Sequence, residues 1–498
     1  TASAEVATAP PPAAAAPPAP TQAQEYQEDD AHDIKFSADA SYQFPKVKAA
    51  TVDKLVERLT HEVYPDLKFR TTFMLTYRSF MTPHQLLEKL QIRYWQATQG
   101  MSTSHTVRLR VIGVIKSWIE VHNEDFLEDK SLKQALLHAI QELAKDKEGP
   151  AQQLHKMAGK YLDREPRTSI AALSEGPVSS EKLSWDIIDE GALARQLSLL
   201  EFTLYSCIAP KECLNCAWSK HKEDAPNVLA MIGQFNKASK WVQHEVVRRV
   251  KLAERVAALQ KFVQLAQKLF ELNNYNGVME VLSGINSSPV RRLKKTWQEL
   301  GTTFKKKFEY LESVMSHEGS YKQYRAVLHS CDPPTVPYLG VYLTDLTFIE
   351  DGNSNTVGDD LVNFDKRYKV AEVIGEIQQY QKIGYPEEGF APDAGLQHYI
   401  RTFETVSEEE AYALSLRVEP RKPDEALEHL LMEEQALRER LQRAELRIVD
   451  LEARNGALEG TVAALTAELS RWRRLSTSHL APRAAGGHLA AGRSQRSG

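Results

Sequence analysis

Apolar positions recur at helical spacing through most of this chain. Leu55, Val56, Leu59 and Val63 repeat three and four residues apart, and Phe69, Phe73, Leu75 and Phe80 continue the pattern. Thr82 and Pro83 supply an N-cap and a first-turn proline for a helix carrying Leu86, Leu87 and Leu90. Leu109, Val111, Ile112, Ile115, Trp118 and Ile119 form a further apolar face. Residues 46–165 therefore predict an all-helical domain, followed by a Pro/Gly/Ser/Glu-mixed linker over 166–184. A larger helical region spans 185–423, with Leu193, Leu197, Leu200 and Leu204 at its start. Its most apolar helix, Val256 to Leu269, ends near Asn273-Asn274.

Residues 424–475 change to a heptad pattern. The a positions are Leu427, Glu434, Leu441, Ile448, Asn455, Val462 and Leu469. The d positions are Leu430, Leu437, Ala444, Leu451, Leu458, Leu465 and Trp472. This is a coiled-coil pattern, and a lone Asn at an a position fixes register and a two-stranded state. Glu434, Gly456 and Gly460 weaken it, and a single amphipathic helix folded back on the body is the alternative reading.

One stretch stands apart. Asp332 to Gly352, DPPTVPYLGVYLTDLTFIEDG, is an apolar run that follows a double proline and ends on bare carboxylates. Val336, Val341, Thr344 and Thr347 favour a strand. Leu339, Leu343, Leu346 and Ile349 sit at helical spacing. The residues leave both readings open. They also leave open whether the run is an ordinary buried element or a probe with an acidic tip.

Composition narrows the class. The chain has 498 residues and a net charge of −5, which suits a globular protein and gives no bulk attraction to nucleic acid. No apolar run approaches the ~18 residues of a membrane span. The first residues show neither the charged nor the apolar region of a signal peptide. The first residue is Thr, so the sequence reads as a piece of a longer protein. Residues 1–45, Ala/Pro-rich, and the tail 476–498 are expected to be disordered. Four cysteines in this length suit a reducing compartment. Cys207, Cys213, Cys216 and His221 resemble half a metal site, but no second ligand pair accompanies them, and no metal is expected.

Sequence signatures of covalent chemistry are missing: no phosphate-binding G-x-x-x-x-G-K-[ST] loop, no G-x-G-x-x-G after a strand, no H-E-x-x-H, no nucleophile elbow and no protein-kinase motif set. The basic run FKKKFEY, Phe304 to Tyr310, reads as a solvated helix face. The missing signatures point to a protein that acts by binding.

Several long motifs, in order, then carry a resemblance. KLVERLTHEVYPDLKFRTTFMLTYRSFMTPHQLL resembles the N-terminal Ras exchanger motif domain of Ras-family guanine-nucleotide exchange factors. LARQLSLLEFTLYSCIAPKECLNCAW, NNYNGVMEVLSGINSSPVRRLKKTW, SYKQYRAVLHSCDPPTVPYLGVYLTDLTFIEDGN and LVNFDKRYKVAEVIGEIQQYQ resemble their catalytic domain, which ALSLRVEPRKP closes. The match covers about residues 48–423 and is nearest the Son-of-sevenless and Ras guanine-nucleotide-releasing-factor branch.

The resemblance implies an all-α fold: an exchanger motif domain, then a helical catalytic bowl with a protruding helical hairpin. Its first arm is the 332–352 stretch and its second lies at about Asn363–Gln381. The exchanger motif domain is expected to brace it. In the family, two side chains four apart on the first arm displace Mg²⁺ and phosphate from a small GTPase. They match Thr347 and Asp351, both smaller than the usual Leu and Glu, with Glu350 able to share the second role. An apolar pocket for a GTPase switch II aromatic matches Ile232, Met279, Tyr321 and Tyr338, with Asn286 as a polar contact. Lys222 matches a further GTPase contact, while a family Arg falls on Gly233. Leu109 and Arg110 match a distal GTPase site.

The expected function is guanine-nucleotide exchange on a Ras-family GTPase, without cofactor or covalent chemistry. The expected location is cytoplasmic, with recruitment to the inner face of the plasma membrane. The coiled coil would form a homodimer or bind a partner helix. The rival is a non-catalytic GTPase-binding scaffold organised by the coiled coil.

Overall fold

A computed structural model describes residues 32–37, 44–97, 104–145, 149–162, 183–358, 360–421 and 423–478. The expected linker lies outside them up to residue 182, as does the tail from 479. The chain divides into two units, Thr1–Glu419 and Pro420–Gly498.

Helices build the first unit around two apolar cores. In the N-terminal core, Val52–Leu59, Leu67–Thr76, Pro83–Gln96, Ser104–Val121, Lys130–Ala144 and Gly149–Leu162 enclose Phe73, Leu90, Ile115, Trp118, Phe126 and Leu136. The Thr82 hydroxyl accepts from Gln85 N–H and the Gln85 amide oxygen accepts from Thr82 N–H, with Pro83 opening the helix. That reciprocal cap satisfies donors that the first turn leaves without partners. A buried carboxylate, Asp125, takes hydrogen bonds from Trp118 Nε1 at 2.7 Å, Arg78 Nη2 at 2.6 Å and the Tyr77 hydroxyl.

The larger core is held by Glu190–Ser206, Pro226–Val247, Leu252–Glu271, Tyr275–Asn286 and Thr302–Val314. Trp241 stacks on Phe403 with centroids 4.0 Å apart and meets Trp185 and Phe262 edge-on. A Cβ at Gly284 would lie 2.6 Å from Ser239 O, so glycine permits the closest approach of Tyr275–Asn286 to Pro226–Val247.

One feature corrects an expectation. Residues 34–36, expected within a disordered segment, form strand β1 (Ile34–Phe36). With β2 (Val47–Ala50), β3 (Thr356–Val357) and β4 (Leu361–Asn363) it makes a small antiparallel sheet, ordered β1-β2-β4-β3. Ala49 faces Asn363 and Ala50 faces Val362, so the sheet joins the chain's beginning to residues some three hundred positions later. Helices dominate, and the all-α class stands.

The described residues of the second unit form one helix, Pro423–Ser478. Side chains from 434 to 471 are exposed throughout, including Leu437, Leu441, Ile448, Leu451, Leu458 and Leu465. The side chains of Leu427, Leu430 and Trp472 lie outside the described residues.

Candidate functional site

The 332–352 stretch resolves into a helix, Leu339–Gly352, and a second helix, Phe364–Tyr380, returns beside it. Together they form a helical hairpin whose tip carries β3 and β4. Its entry is set by the Asn273-Asn274 turn. Val336 N–H donates to Asn273 O at 3.0 Å, and Tyr275 N–H donates to Val336 O at 2.9 Å. Asn273 adopts φ +55, a left-handed conformation that Asn tolerates. The Asn274 side chain accepts from Gly277 N–H at 2.9 Å and donates to Ser198 Oγ at 3.1 Å, tying the turn to the bowl's first helix.

The first arm is fixed on several sides. Arg325 Nη2 donates to both Asp345 oxygens, at 2.8 and 2.7 Å, a charge-assisted contact. Tyr342 donates to Glu376 Oε1 of the second arm at 3.0 Å. Leu339, Val341, Tyr342 and Leu346 are buried. The second arm is held from the N-terminal helices. Phe364 stacks on Phe69 with centroids 4.6 Å apart. Lys46 pairs with Asp365 at 2.9 Å, and Val362, Phe364 and Tyr368 belong to the N-terminal core. Gln381 donates to Tyr205 O and Ile208 O at 2.9 Å, anchoring the arm's far end.

At the tip, adjacent carboxylates have different surroundings. Glu350 turns inward, 3.0 Å from Lys366 Nζ, with its side chain 10% exposed and that of Lys366 1%. Lys366 also reaches Asn355 Oδ1 at 2.8 Å. Burial lowers the Lys366 pKa, and the Glu350 carboxylate opposes that shift. Asp351 is exposed. Neighbours on a helix point about 100° apart, so Glu350 does not share Asp351's direction. Glu350, expected to share the role of Asp351, is thus engaged by Lys366.

Thr347 is half-buried one turn below Asp351. Its hydroxyl donates to Leu343 O at 2.8 Å, and Cys216 Sγ lies 4.0 Å away. What remains is a small, largely apolar side chain on the arm's flank. Cys216 and Asn215 both adopt positive φ in the segment Pro210–Cys216, which packs against this arm. Burial raises the Cys213 and Cys216 thiols. Among the described residues, no group of three or more His, Cys, Asp or Glu is arranged to hold a metal.

The structure brings part of the matched pocket together. Tyr338 and Tyr321 meet edge to face, with centroids 6.1 Å apart. Tyr338 N–H donates to the Tyr324 hydroxyl at 2.8 Å. A Cβ at Gly340 would stand 2.4 Å from the Tyr338 ring, so glycine lets that ring lie across the arm's first turn. Burial, with Tyr321 alongside, pushes the Tyr338 hydroxyl up to about 12, which keeps it neutral. Ile232 lies on Pro226–Val247 one turn before Phe235, and Phe235 stacks on Tyr338 with centroids 5.7 Å apart. Met279 is half-buried on Tyr275–Asn286, the helix packed against Pro226–Val247. Asn286, at the end of that helix, is exposed and donates to Glu312 at 3.0 Å. Lys222 is exposed in the turn Lys222–Asp224, just before Pro226–Val247.

Leu109 and Arg110 lie elsewhere, on Ser104–Val121. Leu109 is 37% exposed, and Arg110 lines a surface cavity of about 210 Å³ with Tyr64, Asp66, Leu67 and Arg70.

Sequence reasoning passed over two aromatics. Phe235 lies one turn from Ile232, and that spacing was its signal. Phe348 is 71% exposed on the first arm, one turn from Asp351. Its signal was an aromatic beside the arm's last carboxylates.

The hairpin, its brace and the pocket beneath it define a class, and similarity to other proteins places the chain within it. Residues 192–368 match the RasGEF domain and residues 46–143 the RasGEF N-terminal motif. Ras guanine nucleotide exchange factor A of Dictyostelium discoideum is 36% identical over 404 residues, which cover 76% of this chain and 66% of that protein. Factor I of the same organism is 35% identical over 398 residues, covering 76% and 48%. Factor Y is 31% identical over 442 residues, covering 75% and 29%. The chain thus spans between 29% and 66% of the length of these relatives. It belongs to the family of Ras guanine nucleotide exchange factors with an N-terminal exchanger motif.

Proposed function

We propose that this chain accelerates GDP release from a Ras-family small GTPase, so that GTP can load. The observation carrying this reading is the hairpin. It is fixed by Arg325, Glu376, Phe69 and β2, and its first arm leaves Asp351 and Phe348 open to a partner.

A small GTPase holds nucleotide through its phosphates and a Mg²⁺ ion. A ligand shifts that equilibrium only by its differential affinity for the two states. A carboxylate placed where phosphate sits repels phosphate and occupies its donors. A small apolar group where Mg²⁺ sits offers no ligand to replace it. Asp351 and Thr347, about 6 Å apart along the helix axis, are assigned these roles. Ile232, Met279, Tyr321, Tyr338 and Phe235 receive a switch aromatic, with Asn286 and Lys222 as polar contacts. The helical bowl acts by binding and preorganisation, without covalent chemistry.

The distal surface at Leu109 and Arg110 is assigned a second, activating GTPase. Its cavity adjoins Leu67, two residues before Phe69, so occupation would act on the second arm. A cytoplasmic location with recruitment to the inner face of the plasma membrane follows from the substrate class. The C-terminal helix attaches the chain to another helix.

The test is release of fluorescent GDP from a panel of Ras, Rap and Ral proteins. The expected result is acceleration for at least one. No acceleration across the panel, with binding retained, would replace this reading with a non-catalytic scaffold. Adding GTP-locked Ras is expected to raise the rate, and Leu109→Glu to abolish that gain. A rate unmoved by either would remove the distal site.

A further inference from the structure

The C-terminal helix presents an exposed apolar stripe. Leu437, Leu441, Ile448, Leu451, Leu458, Val462, Leu465 and Leu469 are each more than half exposed on one continuous helix. From Leu437 to Leu469 this stripe runs about 48 Å. We infer that its occupant is a second copy of the same helix, parallel and in register.

Charge decides between copies and orientations. In a parallel coiled coil, a g residue faces the e residue five positions later on the partner. The g positions Arg440, Arg447 and Arg454 therefore meet Glu445, Glu452 and Glu459 of a second copy. Three consecutive levels pair opposite charges, on both sides of the seam. An antiparallel pair instead sets e against e and g against g. Centred on this stretch, it faces three glutamates with glutamates and three arginines with arginines. Like charges held opposite each other destabilise that arrangement.

The a position adds register. Asn455 meets its own counterpart only when the helices are parallel and unshifted, where two amides can hydrogen-bond across the seam. Shifted by a heptad, each Asn faces Ile448 or Val462 and loses that partner. Within one helix Asn455 reaches only Glu459, at 3.5 Å. Arg454 contacts Asp450 at 3.1 Å, an exposed contact that leaves Glu459 of a partner within competition. Gly456 and Gly460 loosen this stretch, so the three Arg–Glu levels around and before them contribute specificity where helix propensity is poor.

This inference rests on the sequence and the exposed helix, not on exchange activity. Sedimentation equilibrium of the full chain at micromolar concentration is expected to give a two-chain mass. Two triple variants then test the pairing: R440E/R447E/R454E, and E445R/E452R/E459R. Each alone is expected to be a single chain, because every level becomes like-charged. Mixed one to one, they are expected to restore the two-chain mass, since each level regains opposite charges. Circular dichroism of each variant keeps loss of helix distinct from loss of pairing. Asn455→Ile is expected to give masses above two chains. A single-chain wild type, or failure of the mixed variants to associate while both retain helix, would overturn the inference. Co-purification of the wild type with a different helix in place of its own copy would overturn it equally. GDP release by the single-chain variants would fail or persist independently of these masses.

Discussion

The hairpin's first arm and the C-terminal helix are both rich in leucine, and they differ in what covers the leucines. In the first arm, Leu339, Val341, Tyr342 and Leu346 are buried against the bowl and the second arm. Only a short face, with Thr344, Phe348 and Asp351, is open. In the C-terminal helix the apolar stripe itself is exposed along the described side chains. The first arm spends its apolar surface on fixing its own position, and what it offers a partner is a few groups held in place. The C-terminal helix offers the apolar surface itself, and association completes it. Preorganised recognition and association thus arise from similar compositions through different anchoring.

The contrast is broken most severely by removing the brace. Phe364→Ala empties the stack on Phe69 in the N-terminal core and is expected to cost about 3–5 kcal/mol. Denaturant unfolding measures that loss, and GDP release is expected to fall with it. Removing the buried cation comes next. Lys366→Met strands the Glu350 carboxylate and is expected to cost about 3 kcal/mol. Adding Glu350→Leu is expected to recover part of it, since the unpaired carboxylate is then gone while buried Arg367 stays bonded to Asn355. A small cost for Lys366→Met would show that Glu350 is free at the tip.

Asp351→Ala separates the two jobs. Its stability is expected to stay within about 0.5 kcal/mol of wild type, because Asp351 is exposed. Its exchange rate is expected to fall about tenfold, about 1.4 kcal/mol. Equal rates would remove Asp351 from the site.

A smaller effect lies in the larger core. Glu201 and Glu280 are buried together, and Asn276 Nδ2 donates to both, at 3.2 and 3.1 Å. Burial pushes Glu201 up to about 7, and burial with the Glu201 carboxylate beside it pushes Glu280 well above its ordinary value. The folded chain therefore holds protons that the unfolded chain releases near pH 4.3. Stability from this pair is present at low pH and is lost as pH rises through about 7. Glu280→Gln is expected to flatten the decline that starts at about pH 4.3 and runs through about pH 7, read from unfolding midpoints.

Much of this was legible in the sequence. The Thr82-Pro83 cap and the helical periodicities required only local rules. The 332–352 stretch was ambiguous because it packs on several sides. Bowl, second arm and Pro210–Cys216 all meet it, so no clean polar face marks its period. The small sheet was hidden because its strands are two to four residues long and pair across the chain. The parting of Glu350 from Asp351 depends on Lys366, which the sequence places sixteen residues away with nothing to mark it.

The most direct test compares the affinity of this chain for one responsive GTPase in its nucleotide-free and GDP-loaded forms. The account predicts binding to the nucleotide-free form at least about a hundredfold tighter, about 2.7 kcal/mol. Equal affinity for both forms would contradict it.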